Sequence, residues 1–444
     1  MENQVNINSI NRSKLKKDFF KYMIPSVLSM WVSALYIMVD GMFVSKGVGT
    51  TALASVNIVT PFVNMIFGLS VLFSIGSSTL ISTSLGKKDK EKANEYFSLS
   101  ITFLTILSII LAIFSYIFVE DICKILGANG EILNIAKEYL KIIIVFSPFY
   151  IVSYALEVLI KTDGYPHLSI IGVIISALTN IILDYVFVFI FNWGVEGAGL
   201  ATGLARVFSF IFFFIHFTST KSTLKFSKFK FDFKFIKTIS KIGMSDCVTE
   251  MSLGIVILLF NQVILYVIGD LGLVTYSVIS YINTLVLSTM LGISQGLQPL
   301  SSYYNGKNDN KSVKELVVIA LKTTTILSLI IFTICLVFGD IIVTMFIDRS
   351  DLDIFNYTVK CFKTYSISFI LIGFNVLISG ALASIHKTKD AGLISISRGM
   401  IVVSISIIVC TYIFGHIGIW ISTIISELIV LFISIRKLKK VFLR

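Results

Sequence analysis

Hydrophobic residues come in continuous runs along the whole chain, divided by short polar connections. Runs of roughly 20 residues cross a ~30 Å hydrocarbon layer as helices, because a helix satisfies its own backbone polar groups. A closed β-barrel would show short alternating strands, and these runs do not alternate. Twelve spans are predicted, near 20–45, 53–85, 94–119, 134–160, 167–191, 196–219, 242–268, 273–304, 314–338, 357–384, 390–414 and 417–435. Gly47-Val48-Gly49, Gly86, Gly164-Tyr165-Pro166, Gly194, Gly306 and Gly415 supply helix stops. One connector is longer, 220–241, rich in Lys and Phe; it is expected to lie along the membrane surface.

The pattern occurs twice, about 220 residues apart. Leu85-Gly86-Lys87-Lys88-Asp89-Lys90 returns as Asn305-Gly306-Lys307-Asn308-Asp309-Asn310, and Thr105-Ile106-Leu107-Ser108 as Thr325-Ile326-Leu327-Ser328. Lys21, Gly49, Leu53, Ser74, Gly76, Leu80 and Ser82 also recur at that offset. Six spans per repeat is an even number, so both halves enter the membrane the same way, related by an axis along its normal with a cavity between them. The expected fold is therefore an all-α integral membrane protein of twelve helices in two six-helix lobes. Its parts are an N-terminal segment 1–19, a first lobe 20–219, a basic linker 220–241, a second lobe 242–435 and a basic tail 436–444. A duplicated hydrophobic bundle is the usual build of a secondary transporter.

Composition agrees. Of 444 residues, 55% are hydrophobic and 14% charged, with a mean hydropathy of +0.89; soluble domains carry about a quarter charged residues. The net charge of +11 does not point to nucleic acid, because the cations sit in every second loop. Lys87–Lys92, Lys161, Lys221–Lys241, Lys307–Lys314 and Lys387–Lys389 alternate with loops holding Lys46, Lys124 and Arg349 among Glu120, Asp121, Glu131, Asp270, Asp340, Asp348 and Asp351. Both termini, with Arg12, Lys14, Lys16 and Lys17 at one end and Arg436 to Arg444 at the other, are placed in the cytoplasm. No removable signal peptide is expected, and the first span serves as the insertion signal. Cys123, Cys247, Cys335, Cys361 and Cys410 have no metal or disulfide spacing and are expected in the core.

Of the ionisable residues inside spans, Asp40, Glu157, Asp184, Arg206, Glu250, Arg398 and Glu427 are singled out. Each costs about 2.5–3.5 kcal/mol near a helix centre and so needs a partner, water or a proton. Asp40, Asp184, Thr202 and Tyr139 fall in one outer layer, ~9 Å deep at 1.5 Å per residue, with Asn180 one turn below Asp184. Two carboxylates in one poorly hydrated site cannot both ionise easily, which suits a bound proton or Na⁺; the alternative is a polar seam between helices. Arg206 and Glu427 are repeat-equivalent and are candidates for an ion pair, with contact to substrate left open. Arg398 is expected to snorkel to the inner surface and Glu157 to pair with Lys161 at a helix end. Gln295 and Gln298 share a face and, with Tyr36, Arg206, Glu250 and Glu427, are assigned to a substrate cavity. Pro25 and Pro299 mark bends.

The residues resemble the MATE family (multidrug and toxic compound extrusion), particularly its MepA-like bacterial branch, over roughly 20–435. The resemblance rests on Leu35-Tyr36 with Val39-Asp40, Gly47-Val48-Gly49 before Ala52-Leu53-Ala54, and Asn180-Ile181-Ile182-Leu183-Asp184 before Gly194-Val195-Glu196-Gly197-Ala198-Gly199. It continues in Thr249-Glu250, Gly254-Ile255-Val256, Gly292 to Pro299, Gly418-Ile419-Trp420 and Ser426-Glu427. It implies a V-shaped pair of lobes exporting small organic cations or amphipathic drugs against H⁺ or Na⁺. Asp40, Tyr139, Asn180, Asp184 and Thr202 match the family's first-lobe cation site, and bending of the first helix near Pro25 is linked in relatives to its protonation. Two departures stand out: Glu157 and Lys161 replace the family's Asn-x-x-x-Arg, and Arg206 occupies a position where relatives more often carry an uncharged side chain.

The expectation is a monomeric, multi-pass antiporter of the inner (plasma) membrane, contacting lipid, with no resident cofactor or metal, no nucleic-acid partner and no enzymatic activity. A lipid-linked oligosaccharide or lipid flippase of the same superfold would want a more cationic cavity than Arg206 alone supplies. A membrane transferase would want metal-binding loops, whereas His167, His216, His386 and His416 are scattered. A passive channel is separated from a pump by uphill dye efflux.

Overall fold

The structure is a computed structural model that describes residues 12–347 and 352–442. Residues 1–11 of the expected N-terminal segment, the loop residues Asp348, Arg349 and Asp351, and Arg444 of the tail lie outside the described residues. Among the described residues there are helices and turns and no strand.

Twelve helices are long and apolar enough to cross a membrane. They are α1 (Arg12–Gly47), α2 (Thr50–Gly86), α3 (Lys90–Ile117), α4 (Gly130–Thr162), α5 (Pro166–Ile190) and α6 (Gly194–Thr218), then α7 (Phe233–Val267), α8 (Asp270–Gly306), α9 (Asn310–Val337), α10 (Leu352–Ser384), α11 (Thr388–Phe414) and α12 (His416–Phe442). Each predicted span has its helix. Short helices, Val119–Ile125 and Gly339–Thr344, follow α3 and α9 at repeat-equivalent places. The end of the bundle carrying Arg12 and Phe442 is called inner below, the opposite end outer.

The repeat extends to backbone detail. Asp89 accepts from the amide of Lys92 and Asp309 from that of Ser312, each at 3.0 Å, so equivalent side chains cap α3 and α9. Before those caps, Lys88 and Asn308 take left-handed conformations with φ 63° and 59°. Two π-helical stretches interrupt the regular helices: Tyr185–Ile190 begins directly after Asp184, and Ser397–Ile401 contains Arg398. Such turns re-aim side chains and frequently mark functional sites.

The lobes meet through α1 on α8, α2 on α7 and α2 on α8. Glycine permits the approach, in pairs that obey the pseudo-two-fold. A Cβ on Gly86 would lie 2.0 Å from the carbonyl oxygen of Tyr303, and one on Gly306 2.1 Å from that of Thr83, the repeat equivalent of Tyr303. Further out, Gly243 of α7 backs onto Leu72 of α2, while Gly292, the equivalent of Leu72, backs onto Val27 of α1, one turn from Met23, the equivalent of Gly243. These contacts all lie in the inner half, so the inner end is closed. Ile110, Ile113 and Ile117 on α3 and Ile330, Ile334 and Val337 on α9 are exposed, as lipid-facing residues should be. All five cysteines are buried and unbridged.

The linker differs from expectation. α7 starts at Phe233, capped by Asp232, which accepts from the Lys234 amide at 2.8 Å. The segment before it is pinned to the first lobe by hydrogen bonds. Asp163 Oδ1 accepts from the amides of Thr223 (2.8 Å) and Leu224 (2.9 Å), and its Oδ2 pairs with His216 Nε2 at 2.7 Å. Further along, Asn94 accepts from the Lys225 amide and Ser98 from that of Ser227.

Candidate functional site

Two rungs, one helical turn apart, join α1 to α6. Tyr36 and Asp40 lie four apart on α1, Thr202 and Arg206 four apart on α6, so each pair shares a face. Arg206 donates to the Tyr36 hydroxyl and stacks its guanidinium 4.5 Å from the Tyr150 ring centre. In the other rung the Asp40 carboxyl approaches Thr202 together with Asp184 and Asn180 of α5. Asn180 Nδ2 donates to Thr202 Oγ1 at 3.3 Å. Tyr139 of α4 is electrostatically close to both acids.

This cluster is under-satisfied. Asp184 and Asn180 are 0% exposed, and Asp40 Oδ1, both Asp184 oxygens and Asn180 Oδ1 are buried without a hydrogen-bond partner. The two acids stand within interaction range yet outside hydrogen-bond geometry. Buried carboxylate oxygens without donors are costly, and each invites a proton or cation. The donor set is all oxygen, which suits a hard cation or a proton and not a soft metal. No group of three or more His, Cys, Asp or Glu positioned for a metal occurs among the described residues.

Asp40, Thr202, Tyr139, Tyr36 and Arg206 line one cavity of about 240 Å³. Its other walls are apolar and amide side chains of α1, α2, α4 and α6, including Asn57, Asn64 and Phe146. The sequence pattern placed a cavity between the halves; this volume lies within the first lobe.

The remaining expected cavity residues are elsewhere. Gln295 Oε1 accepts from Lys161 Nζ at 3.3 Å, and Gln298 Nε2 donates to Asp246 Oδ1 at 2.9 Å, in the closed seam between lobes. Glu250 sits one turn from Asp246 and electrostatically close to Tyr150 and Tyr154. Glu157 and Lys161 do pair, at 3.7 Å, but Lys161 is 2% exposed and reaches across the seam rather than lying at a surface helix end. Arg206 does not meet Glu427, because each is satisfied inside its own lobe. Glu427 Oε1 accepts from Arg398 Nε at 2.8 Å and its Oε2 from Asn375 Nδ2 at 2.7 Å. Arg398 therefore does not snorkel: the π-helical turn aims it into the second lobe. Asp246 and Asp163 escaped the sequence reading because each lies within a few residues of a predicted span end; the i, i+4 spacing of Asp246 and Glu250 was the available signal. Pro25 and Pro299 lie inside unbroken α1 and α8.

Two equivalent six-helix lobes, with paired acids inside the first, define a polytopic membrane transporter, not an enzyme. The family model described as MatE matches residues 25–186 and 247–410, and the chain belongs to that family. It is 26% identical over 424 residues to the multidrug export protein MepA of Staphylococcus haemolyticus, covering 95% of this chain and 93% of that one. It is also 26% identical over 420 residues to the MepA protein of Staphylococcus saprophyticus, covering 94% and 92%. Its fold matches an outward-facing multidrug resistance MATE family transporter with a TM-score of 0.89, at 20% identity and covering 96% of this chain and 97% of that one. A MATE crystal structure in the straight conformation matches with a TM-score of 0.89, at 19% identity and covering 98% and 99%.

Proposed function

We propose that the protein is a cation-coupled multidrug efflux antiporter that exports cationic or amphipathic small molecules by alternating access. The observation that carries this reading is the pair Asp40 and Asp184, whose buried oxygens Asp40 Oδ1 and both of Asp184 are unpartnered beside a cavity that Asp40 itself lines. Relatives named multidrug export proteins support small-molecule cargo. Bacterial relatives and positive inner loops support a plasma-membrane location with both termini cytoplasmic.

The present state, with its inner end closed, is read as outward-facing. A proton or Na⁺ arriving from outside binds between Asp40, Asp184, Asn180 and Thr202 and cancels their negative charge. Cargo held by that charge and by the cavity's aromatic walls then loses its counter-charge and leaves. Because Tyr36 precedes Asp40 on α1 by one turn, a shift of α1 also moves the Arg206–Tyr36 rung, coupling occupancy to cavity shape. Bending at Pro25 and Pro299 supplies the motion. Loss of the ion to the cytoplasm restores the charge for the next cargo molecule.

The test is dye efflux in everted vesicles. Asp40→Asn and Asp184→Asn, singly and together, are expected to abolish uphill efflux while membrane insertion is retained. Full efflux by the double variant overturns the proposal.

A further inference from the structure

At the inner end a second, larger crevice of about 640 Å³ opens where the lobes meet. Five lysines line it, Lys14 and four more from sequence-distant places: Lys21 on α1, Lys88 and Lys90 at the turn into α3, and Lys307 after α8. Lys21, Lys88 and Lys90 belong to one lobe and Lys307 to the other. Lys21, Lys88, Lys90 and Lys307 are in no ion pair among the described residues, and Lys307 lies over the rings of Tyr303 and Tyr304, at 4.6 and 5.6 Å. Tyr22, Tyr303 and Tyr304 add phenolic donors to the wall. Of the two acids present, Asp163 is committed to the linker amides and His216, which leaves Asp18 against the lysines.

Retention of positive charge on the inner side accounts for lysines at this end. It does not account for their convergence, from two lobes, on one concave site with hydroxyl donors between them. A crevice lined by one sign of charge focuses the field and concentrates counter-ions. Basic pockets between transmembrane helices on the cytoplasmic side are suited to anionic lipid headgroups. The crevice also exists only while the inner ends are together, because Lys307 and the two tyrosines come from the second lobe and are held there by the Gly86–Tyr303 and Gly306–Thr83 contacts.

We infer that this crevice binds a phosphate-bearing anion that bridges Lys21, Lys88 and Lys90 to Lys307 and stabilises the state closed at its inner end. The ligand favours that state because only there do both lobes contact it. The site is separate from the Asp40–Asp184 cavity, so its test does not depend on transport.

The probes are dihexanoyl phosphatidylglycerol, dihexanoyl phosphatidylcholine and inorganic phosphate, titrated into the purified full-length protein while thermal unfolding is followed. Closure is read from the distance between spin labels on Glu91→Cys and Lys311→Cys, both exposed positions; the native cysteines are buried. The phosphatidylglycerol headgroup is expected to stabilise the protein and narrow the label distances, and phosphatidylcholine to do neither. The triple variant Lys21→Gln, Lys88→Gln, Lys307→Gln should lose about a hundredfold in apparent affinity, from roughly fivefold per lysine. A control triple, Lys237→Gln, Lys241→Gln, Lys389→Gln, removes equal charge from another inner-face depression and should bind as the parent does. Matching stabilisation by inorganic phosphate identifies free phosphate as sufficient; stabilisation by the lipid alone identifies the headgroup. Should the first triple unfold early, Lys307→Gln alone is to weaken binding and abolish the narrowing. Equal losses in both triples, or an equal response to phosphatidylcholine, would show diffuse charge only and overturn the inference.

Discussion

Arg398, Glu427, Asn375 and Ser434 form a hydrogen-bonded polar group in the second lobe, and its chemistry differs from that of the acids in the first. Arg398 donates to Glu427, Asn375 donates to Glu427, and Ser434 donates to Asn375 Oδ1 at 2.8 Å. With both Glu427 oxygens partnered, this cluster is expected to hold the lobe together rather than exchange ions. Removing one member of a buried pair strands the other's charge, at a cost of about 3–5 kcal/mol. Arg398→Met is therefore expected to lower the unfolding temperature in detergent markedly, whereas Asp184→Asn, which strands no charge, should leave it near that of the parent. Arg206 makes a separate case. Lysine keeps its charge but not the planar group stacked on Tyr150, so Arg206→Lys should alter substrate KM more than protein yield in a vesicle transport assay. At this scale the sequence was informative about depth and poor about partners. Residue counting put Asp40, Asn180, Asp184, Thr202 and Tyr139 in one layer, and there they are. The same counting places Arg398 about ten residues into α11, ~15 Å deep, too deep for the snorkelling first assigned. Partners such as Asn375 for Glu427 depend on helix rotation, which hydropathy does not encode.

Helix ends and crossings were legible where glycine or a cap fixes them. The repeated Gly86 and Gly306 looked like helix stops in the sequence; in the structure they are also the points where backbones of opposite lobes touch. Gly86→Val and Gly306→Val are each expected to hold the inner ends apart and reduce efflux, with a wider inner-end spin-label distance as the check. The linker's anchors, Asp163, Asn94 and Ser98, were not legible because they are side-chain acceptors distant in sequence. Another element-level link is the turn between α10 and α11, where His386 Nε2 lies 3.1 Å from Thr83 Oγ1 of α2 and so joins the lobes. Burial, and then the nearby charge of Lys87, holds His386 below its ordinary value of 6.5. A histidine depressed in the folded state takes up a proton more readily when unfolded, so its contribution is present above about pH 6.5 and lost as pH falls below it. Unfolding temperature should thus drop between pH 7 and pH 5 more in the parent than in His386→Gln.

The whole molecule is two copies of one bundle joined along their inner halves, with the under-satisfied acids in one copy and a neutralised ion pair in the other. That asymmetry suits a pump in which one lobe carries the exchanged ion while the other serves as a rigid partner for rocking motion. The twelve spans, the duplication and its axis were readable from hydropathy and repeat spacing, because lipid imposes length and parity on any spanning chain. The site of the first-lobe cavity was not, since it depends on how α1, α2, α4 and α6 splay. The most direct test is uphill cargo movement by purified protein in liposomes, with a pH gradient or a Na⁺ gradient imposed alone. One gradient is expected to drive accumulation by the parent protein and to fail with Asp184→Asn. Equal uphill transport by both proteins would contradict the claim that Asp40 and Asp184 exchange the driving ion.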